Sequence, residues 1–472
     1  MNLSTLFFVF AFLPVSLILY LLCPRVCKNA LLILVSFLFY AWGSPVYLLL
    51  LLLVTVFNYC IGRDIGNRVE SEQRGAKFVL VFGVLFNLLL LGFYKYTAFA
   101  IETLNAFLPF TLNAPSPALP LGISFFTFTN LSYLSDVYHR RAPAQKNPLD
   151  FCLYVSFFPK MISGPIVEYA HIAPQLKEHP VTLDKVSDAV PMLVLGLAKK
   201  VLLADNLGIA FQSISALSSG SLSGGSAWLG AIFYSLQLYF DFSGYSDMAI
   251  GLGRMLGFRF PENFRYPYLC SSISDFWRRW HISLGSWFKE YLYFPLGGSR
   301  AGTLRTLRNL LLVWLATGLW HGASWNYVLW GLYFGVLICL EKLLAPRFRA
   351  HPRKGLLAGL YRPVCLLLAV LGWVLFRAED LPAAGRYFAC LFGGAAGASA
   401  QARLYLHDFW PVLLLSAVGA TPLCPKLAGR LGAKLQPGVR AAVQAVLVLA
   451  LLACSTVWLL NGSFQSFVYF QF

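Results

Sequence analysis

The 472-residue chain is poor in charge, and above all in acidic side chains. Charged residues make up 12% of the sequence and hydrophobic residues 58%, whereas a soluble domain has roughly 25% charged residues. Only 20 aspartates and glutamates oppose 37 lysines and arginines, so the formal net charge is +17. No polar stretch is long enough for a soluble domain, and no basic run lies in one. This pattern argues against nucleic acid as a partner.

The sequence also lacks the short motifs of bound cofactors. It has no phosphate-binding G-x-x-x-x-G-K loop, no dinucleotide fingerprint and no zinc signature. The closest cysteines, Cys23 and Cys27, have no further cysteine or histidine at zinc-binding spacing. We therefore expect no metal, no permanently bound cofactor, and cysteines that act as small apolar residues.

What the chain does contain is apolar stretches from end to end. About 20 apolar residues cross a bilayer as a helix, so the sequence predicts an all-α polytopic membrane protein with about ten to twelve membrane helices. Several stretches are short or broken by proline and glycine, and such breaks persist at membrane depth only inside protein or beside a water-filled cavity. We expect one integrated membrane domain, residues 1–472, with a cavity. The predicted segments are 4–22, 30–43, 46–61, 78–100, 119–138, 190–210, 228–253, 308–340 (one segment, or two with a break in the middle), 358–376, 409–424 and 441–460.

The distribution of positive charge predicts the orientation of these segments. The polar stretch 102–120 contains no lysine or arginine, so the positive-inside rule places it outside and the basic loops in the cytoplasm. The N-terminus is then outside, residues 30–61 form a short hairpin, and the first segment is a retained helix rather than a signal peptide. Much of the charge is expected to meet anionic lipid headgroups. The basic clusters are 25–28, 63–77, 139–146, 199–200, 254–265, 278–308, 342–354 and 426–440.

Two segments have patterns other than a plain span. Residues 151–165 are apolar but too short and too broken by proline and glycine, which predicts a re-entrant or interfacial piece. Residues 274–291 predict one helix capped by Ser274 or Asp275. Its aromatic side chains form one stripe with cations opposite, the pattern of a helix at a membrane interface. His281 falls at the edge of that stripe, where it is either a surface imidazole without a role or a functional group.

His321 is the most informative single residue, because it lies in the middle of the apolar segment 308–340. An ionisable side chain at membrane depth is a functional-site hypothesis by default. Its flanking glycines, Gly318 and Gly322, would let another helix approach closely. The alternatives are a structural imidazole bonded to a carbonyl group, and a general base that burial keeps neutral. The surrounding tryptophans favour the wall of a constricted tunnel, and they are Trp314, Trp320, Trp325 and Trp330.

Asp241 and Asp247 lie in or near the apolar segment 228–253. The Gly-Tyr-Ser between them lacks the full G-x-S-x-G pattern of a nucleophile elbow, and no strand precedes it. We interpret these acids as groups that hold helices together or pair with a buried arginine. On these residues alone, an enzyme and a transporter of an acyl donor or polysaccharide precursor remain equally plausible.

Several blocks of the sequence, in order, resemble the membrane-bound O-acyltransferase (MBOAT) family, and within it the bacterial alginate O-acetylase (AlgI) branch. The most specific is SDFWRRWHISLGSWFKEYLYFPLGGSR at 274–300. Lys160 and Met161 are a small departure from the form expected for the block 157–167. The other matching blocks are 122–138, 157–167, 196–206, 234–263, 318–331 and 469–472.

The resemblance implies a fold, an activity and a site. It implies tilted helices around a central funnel and tunnel, with His321 as the family's invariant histidine and His281 at its second position. It implies acetyl transfer from cytoplasmic acetyl-CoA, used as a substrate, to an exported polysaccharide such as alginate. A periplasmic serine-hydrolase-like acyltransferase would be the partner, and the bacterial inner membrane the location. Transfer of D-alanine or another acyl group to a cell-wall polymer stays open. Arg278, Arg279 and Lys289 are candidates for holding the coenzyme A phosphates.

Overall fold

The computed structural model describes residues 1–115, 117–217, 222–300, 302–349, 356–393, 400–462 and 467. These residues form helices and no strand, which confirms the predicted all-α class. The matching block 469–472 and part of the basic cluster 342–354 lie outside the described residues. The helices up to residue 255 are α1 (Leu13–Leu22), α2 (Lys28–Gly43), α3 (Leu48–Glu70), α4 (Ala76–Asn105), α5 (Ile123–Tyr138), α6 (Pro148–Ser156), α7 (Tyr169–Lys177), α8 (Leu183–Ala198), α9 (Asp205–Ser215) and α10 (Gly224–Met255).

The second half of the chain is also helical. Along the whole described chain, three short π-helical turns lie next to or between the α-helices. These turns are Phe8–Phe12, Lys199–Ala204 and Lys289–Tyr293. The helices are α11 (Ile273–Trp277), α12 (Ile282–Phe288), α13 (Thr303–His321), α14 (Trp325–Arg349), α15 (Leu356–Arg377), α16 (Leu381–Gly393), α17 (Ala400–Gly419), α18 (Leu423–Gly432) and α19 (Pro437–Asn461).

Six of the described helices are long and apolar enough to cross a membrane, or up to seven if the bent pair α17 and α18 forms one span. The chain is therefore a multi-pass membrane protein. The number is below the ten to twelve predicted from apolar stretches, because several of those stretches form helices that are shorter or more polar than a full span. The six are Arg25–Gly43, Pro45–Glu70, Ala76–Asn105, Trp325–Leu344, Gly359–Arg377 and Pro437–Asn461.

The surfaces of these helices are apolar. Only 22% of the apolar window of α4 and 6% of that of α19 are buried inside the protein. Exposing such helices to water would oppose the hydrophobic effect over their whole length. Lipid tails remove that penalty, so the exposed leucines, valines and phenylalanines are lipid-facing residues.

The chain divides into two compact units, and both contain non-consecutive segments. The first consists of Met1–Leu193 and Ser246–Pro261, and the second of Val194–Tyr245 and Glu262–Phe472. That residues 1–472 form a single domain stays a prediction.

In the first unit, α3 and α4 are joined by a buried pair of amides. Asn58 and Asn87 each donate from Nδ2 to the other's Oδ1, at 3.1 and 2.7 Å. In lipid such a pair holds helices together, because separated amides would have few other partners. Helix α3 continues to Glu70, nine residues beyond the predicted end at 61. The hairpin of 30–61 is therefore made of two long helices.

The segment 151–165 is short and broken, as the prolines predict. Helix α6 begins after Asn147, whose side chain accepts the Leu149 N–H at 3.0 Å, and it ends at Ser156 before Pro159. Buried turns follow, and the Lys160 ammonium lies 4.6 Å from the Tyr154 ring centre. A re-entrant position in the membrane stays a prediction.

The second unit contains a buried ionic cluster. Lys200 Nζ lies 2.7 Å from Asp205 and 2.9 Å from Asp241, so it links α10 to the start of α9. Of the two predicted alternatives for Asp241, the one in which it holds helices together is confirmed. The cation that it meets here is Lys200, where the other alternative named a buried arginine. The sequence places Lys200 in the apolar segment 190–210 without indicating which acid it meets.

Candidate active site

The apolar segment 308–340 forms two helices, which confirms that alternative of the prediction. Helix α13 ends at His321, Gly322 takes an extended conformation, and α14 begins at Trp325. His321 is therefore the last helical residue before a break. A break leaves the final carbonyls of α13 without helical partners and lets the chain present a side chain beside open backbone.

Small residues allow α13 and α14 to pack closely, as predicted for Gly318. A Cβ atom at Gly318 would lie 2.3 Å from the carbonyl oxygen of Tyr327 on α14. On the opposite helix, a Cβ at Gly331 would lie 2.4 Å from the carbonyl oxygen of Trp314. Gly322 faces the Tyr327 ring with similar closeness. The two backbones are in contact at the level of His321, which fixes the position of that side chain.

His321 is 5% exposed and surrounded by aromatic rings. Its ring centre lies 5.0 Å from Trp330 and 5.2 Å from Phe376, both edge to face. Trp320 and Trp330 thus pack on the His321 ring, and that tryptophans form the wall of a tunnel stays a prediction. Trp314 lies one layer further out, where it packs on Trp277 at 4.7 Å. Trp325 is half exposed and belongs to the surface.

The single helix predicted over 274–291 is wrong. The segment forms α11 and α12, and residues 278–281 between them are non-helical. Ser272 is the N-cap instead of Ser274 or Asp275, and its hydroxyl accepts the Asp275 N–H at 3.0 Å. The helix stops because His281 adopts a left-handed conformation, with φ 45°. A continuous amphipathic stripe therefore does not form.

His281 is buried, not at the edge of an aromatic surface. It is 2% exposed, and Phe242 packs edge to face on its ring at 4.6 Å. Burial lowers the pKa of His281 to about 3, so the imidazole is neutral at physiological pH. A left-handed backbone at a residue other than glycine is strained, and such strain is concentrated at functional sites.

Asn263 determines the tautomer of His281. The backbone N–H and the hydroxyl of Ser283 approach Asn263 Oδ1 at 3.2 and 2.9 Å. A backbone N–H can only donate, which fixes this amide atom as the oxygen. His281 Nδ1 lies 3.1 Å from the same oxygen and must therefore carry the proton. Nε2 is then the nitrogen with the lone pair.

Both histidines contact one indole. The Trp320 ring centre lies 6.0 Å from His281 and 5.0 Å from His321, so the two imidazole centres are at most 11 Å apart. Trp320 itself is 5% exposed. The fold of the second unit thus brings together two side chains that are forty residues apart in the sequence. That they line a common tunnel stays a prediction.

Glu341 anchors the segment that carries His281, and sequence reasoning missed it. Its carboxylate accepts the N–H groups of Ile273 and Ser274 at 2.6 and 2.8 Å, and the Tyr361 hydroxyl at 2.7 Å. A carboxylate at a helix N-terminus is stabilising because it meets unpaired N–H groups. The signal available in the sequence was an acid near the end of an apolar helix, α14. Sequence reasoning also missed Asn263, and its only signal was its position as the last residue of the matching block 234–263.

The three basic candidates for the coenzyme A phosphates have different surroundings. Arg278 and Lys289 are exposed. Arg279 is half buried and pairs with Asp275 at 3.1 Å. The Lys289 ammonium lies 5.5 Å from the Phe294 ring centre. Arg278 and Lys289 thus have their charges at the surface, whereas Arg279 stabilises α11.

Comparison with known proteins gives consistent relatives. The chain is 45% identical over 394 residues to the probable alginate O-acetylase AlgI of Azotobacter vinelandii, covering 82% of this chain and 77% of that protein. It is 38% identical over 415 residues to the peptidoglycan O-acetyltransferase of Helicobacter pylori, covering 81% and 78%. It is 29% identical over 247 residues to the teichoic acid D-alanyltransferase of Bacillus subtilis, covering 48% and 62%.

The family model of the membrane-bound O-acyltransferases matches residues 32–358. The match includes both histidines, Asn263, Glu341 and the close contact between α13 and α14. With relatives at this identity over four fifths of its length, the chain belongs to the membrane-bound O-acyltransferase family.

Proposed function

We propose that this protein transfers an acetyl group from cytoplasmic acetyl-CoA across the bacterial inner membrane for the O-acetylation of an exported polysaccharide. Acyl transfer to a polysaccharide follows from the family and its named relatives. The finer points, the donor, the membrane and the acetyl group, are our proposal. The observation that carries it is the pair of buried histidines on one indole, inside a family of O-acyltransferases.

The two histidines have different roles in this proposal. His321 is the general base, which takes the proton of the attacking hydroxyl as its oxygen bonds to the acyl carbon. The carbon–sulfur bond breaks, and His321 returns the proton to the leaving thiolate, so that free coenzyme A is released. His281, with its pKa lowered to about 3, is a weak base at neutral pH. We assign it an orienting role, in which the Nε2 lone pair accepts a hydrogen bond. The aromatic surroundings exclude the water that would hydrolyse the thioester.

The acceptor and partner follow the relatives. The relatives are named as an alginate O-acetylase and a peptidoglycan O-acetyltransferase. We propose that the acceptor polymer of this protein lies outside the cytoplasm, so that the acetyl group must cross the membrane. We propose a periplasmic acyltransferase of the serine-hydrolase type as the partner that completes the transfer. Arg278 and Lys289, exposed and close in sequence to His281, are proposed to attract the phosphates of coenzyme A.

A D-alanyl group is the second candidate, because one relative is a teichoic acid D-alanyltransferase. That relative matches 48% of this chain, whereas the alginate and peptidoglycan O-acetyltransferases match more than 80%. This difference in coverage favours an acetyl group over a D-alanyl group as the group that is transferred.

The test measures free coenzyme A released from labelled acetyl-CoA by the purified protein in detergent, with membranes of a strain that lacks this protein added to supply the hydroxyl acceptor and the partner. We expect release by the wild type and its loss in His321→Ala, with the protein expressed and monodisperse. His407→Ala is the matched control, because His407 is 83% exposed on α17. Acetylation of the exported polymer in cells should disappear with the same variant. Full acetylation with His321→Ala would refute the role of His321, and absence of release by the wild type would favour a transporter.

A further inference from the structure

The second unit contains a cavity of about 350 Å³ at the end of a membrane span, and we call it the arginine pocket. Arg377 lines it and is the last residue of the span Gly359–Arg377. Arg386 lines it from α16, a helix of 13 residues that is too short to cross a bilayer. Both arginines are exposed. Because the span ends where the hydrocarbon of the bilayer ends, the two guanidinium groups lie near the level of the lipid headgroups.

The cations of the arginine pocket have no anionic partner in the part of the chain that the structure describes. Neither Arg377 nor Arg386 makes an ion pair or a hydrogen bond there. The Arg377 guanidinium lies 5.5 Å from the ring centre of Phe211, which also lines the cavity. Glu379 is the one acid of the lining, and it is exposed. The lining therefore has an excess of positive charge.

The floor of the arginine pocket contains a buried hydroxyl group without a partner. Tyr234 is 2% exposed, and its hydroxyl has no hydrogen-bond partner among the described residues. The Arg377 guanidinium interacts electrostatically with this hydroxyl, so the polar groups of floor and rim face the same space. The rest of the floor is apolar, with Phe211, Ala231 and Val374. A buried hydroxyl without a partner is destabilising, and a polar atom of a ligand would remove that penalty.

The chemistry of the lining and its level in the membrane together define one class of ligand. Arginine donates paired hydrogen bonds to phosphate oxygens, and the Tyr234 hydroxyl can donate another. The apolar floor suits a glycerol backbone and the first methylene groups of acyl chains, whose burial is favourable. The Glu379 carboxylate suits the ammonium or hydroxyl groups that lipid headgroups carry beyond the phosphate. A volume at the lower end of the range for small-molecule sites, roughly 300–1,000 Å³, holds a headgroup while the chains stay in the bilayer.

We propose that the arginine pocket binds the phosphate of a membrane glycerophospholipid, which stays intact as a structural ligand and is not a substrate. The bound phosphate links the end of α15 to α16 through the two arginines. Phe376, next to Arg377 in the chain, packs on His321 and on Tyr327 at 5.2 Å each. The lipid therefore restrains the end of α15 one residue away from the surroundings of His321.

The experiment titrates the delipidated full-length protein with a short-chain lipid and counts the bound molecules by native mass spectrometry. The probe is dioctanoyl phosphatidylglycerol. Dioctanoylglycerol has the same chains without the phosphate, and glycerol phosphate has the phosphate without the chains. We expect one saturable site for the phospholipid, and binding at least about 10-fold weaker for each of the other two compounds.

Four variants locate the site of binding. Arg377→Gln and Arg386→Gln should each weaken binding of the phospholipid about 10–100-fold, because each removes charge-assisted hydrogen bonds, and should not change binding of dioctanoylglycerol. Tyr234→Phe removes one hydroxyl without creating a cavity, and should weaken phospholipid binding about 3–10-fold. Arg430→Gln, at an exposed arginine of α18, is the matched control and should bind like the wild type. The phospholipid should also raise the unfolding temperature of the wild type more than that of Arg386→Gln.

Three results would overturn the proposal. Equal affinity of Arg386→Gln and Arg430→Gln for the phospholipid would show only a general attraction between arginines and headgroups. Equally tight, Arg386-dependent binding of glycerol phosphate would identify a site for a free phosphate ester. Equally tight, Arg386-dependent binding of coenzyme A would identify a site for the acyl donor. Each of these measurements is independent of coenzyme A release, so failure of the proposed function is distinguished from failure of the lipid site.

Discussion

At the scale of single residues, the surroundings of an ionisable group decide its chemistry. His281 and His407 are the same residue type, but one is buried against Phe242 and the other is 83% exposed on α17. The pKa of His281 falls to about 3, because the interior disfavours the charged imidazolium. Asn263 then selects which nitrogen carries the proton. Both effects depend on residues distant in sequence or on burial.

Replacement of Asn263 should change the protonation and the orientation of the His281 imidazole, although residue 281 itself stays a histidine. Asn263→Ala removes the acceptor of His281 Nδ1 and Ser283, and we expect kcat/KM to fall about 10–100-fold, equivalent to about 1.4–2.7 kcal/mol in the barrier. Asn263→Asp keeps an acceptor at the same place, so at pH 8 it should retain more activity than Asn263→Ala.

The pH profile separates an effect on the imidazole from a structural one. In the wild type the pKa of about 3 gives no acid limb from His281 above pH 5. A carboxylate at position 263 favours the imidazolium and raises the pKa, so the activity of Asn263→Asp should decline as the pH falls through the raised value. Identical profiles for the wild type and Asn263→Asp would contradict the positioning role.

Lys200 should be a major contributor to stability. Lys200→Met removes a cation that contacts Asp205 and Asp241, both largely buried. Such a loss typically destabilises by about 3–5 kcal/mol, which we expect as a clear drop in the thermal inactivation temperature in detergent. Arg68→Met is the control, because the half-exposed Arg68–Asp64 pair contributes about 0–1 kcal/mol. Equal drops in inactivation temperature in the two variants would show that the buried cluster contributes no more to stability than the half-exposed pair.

At the scale of elements, the segment 274–291 shows why a helical pattern is insufficient. Its aromatic residues recur at helical spacing, but they are buried on several sides, as Phe276 and Trp280 show. The strained backbone at His281 is held by Asn263, and Glu341 holds the start of α11. These tertiary contacts override the local preference for one continuous helix. The break in 308–340, by contrast, follows from Gly322 and its neighbours.

Gly318→Ala should separate α13 from α14. Its Cβ would overlap the Tyr327 carbonyl oxygen, so the helices must shift, and overpacking of this kind costs about 1–3 kcal/mol. We expect lower thermal stability and a marked loss of coenzyme A release, because the shift moves His321. Gly429→Ala on α18, where a Cβ has open space, should change neither. Wild-type activity in Gly318→Ala would disprove the claim that close packing positions His321.

At the scale of the whole molecule, the orientation in the membrane is predicted from charge alone. The stretch 102–120 has no lysine or arginine, whereas the loop between α3 and α4 contains Arg74, and Lys77 lies in the first turn of α4. Moving several cations across the bilayer is unfavourable, which sets the direction of insertion. The exposed apolar faces of α4 and α19 show that lipid surrounds the protein but do not say which end is outside.

Epitope insertion tests this orientation. A short tag placed after Asn113 should be accessible to antibody in intact spheroplasts, and a tag after Gln73 should become accessible only after lysis. Both positions are exposed loops, so neither insertion should unfold a helix. The reverse pattern of accessibility would invert the proposed path of the acetyl group.

The sequence by itself determined the helical class, the membrane location, the break at His321 and the close approach at Gly318. Each of these depends on local composition or on spacing along one helix, which a single chain displays directly. Only the tertiary structure decided the burial of His281, its tautomer, the lysine partner of Asp241 and the anchoring role of Glu341. These depend on contacts between residues 18 to 68 positions apart, and the hydrophobic pattern of a segment does not specify which polar groups meet inside the fold.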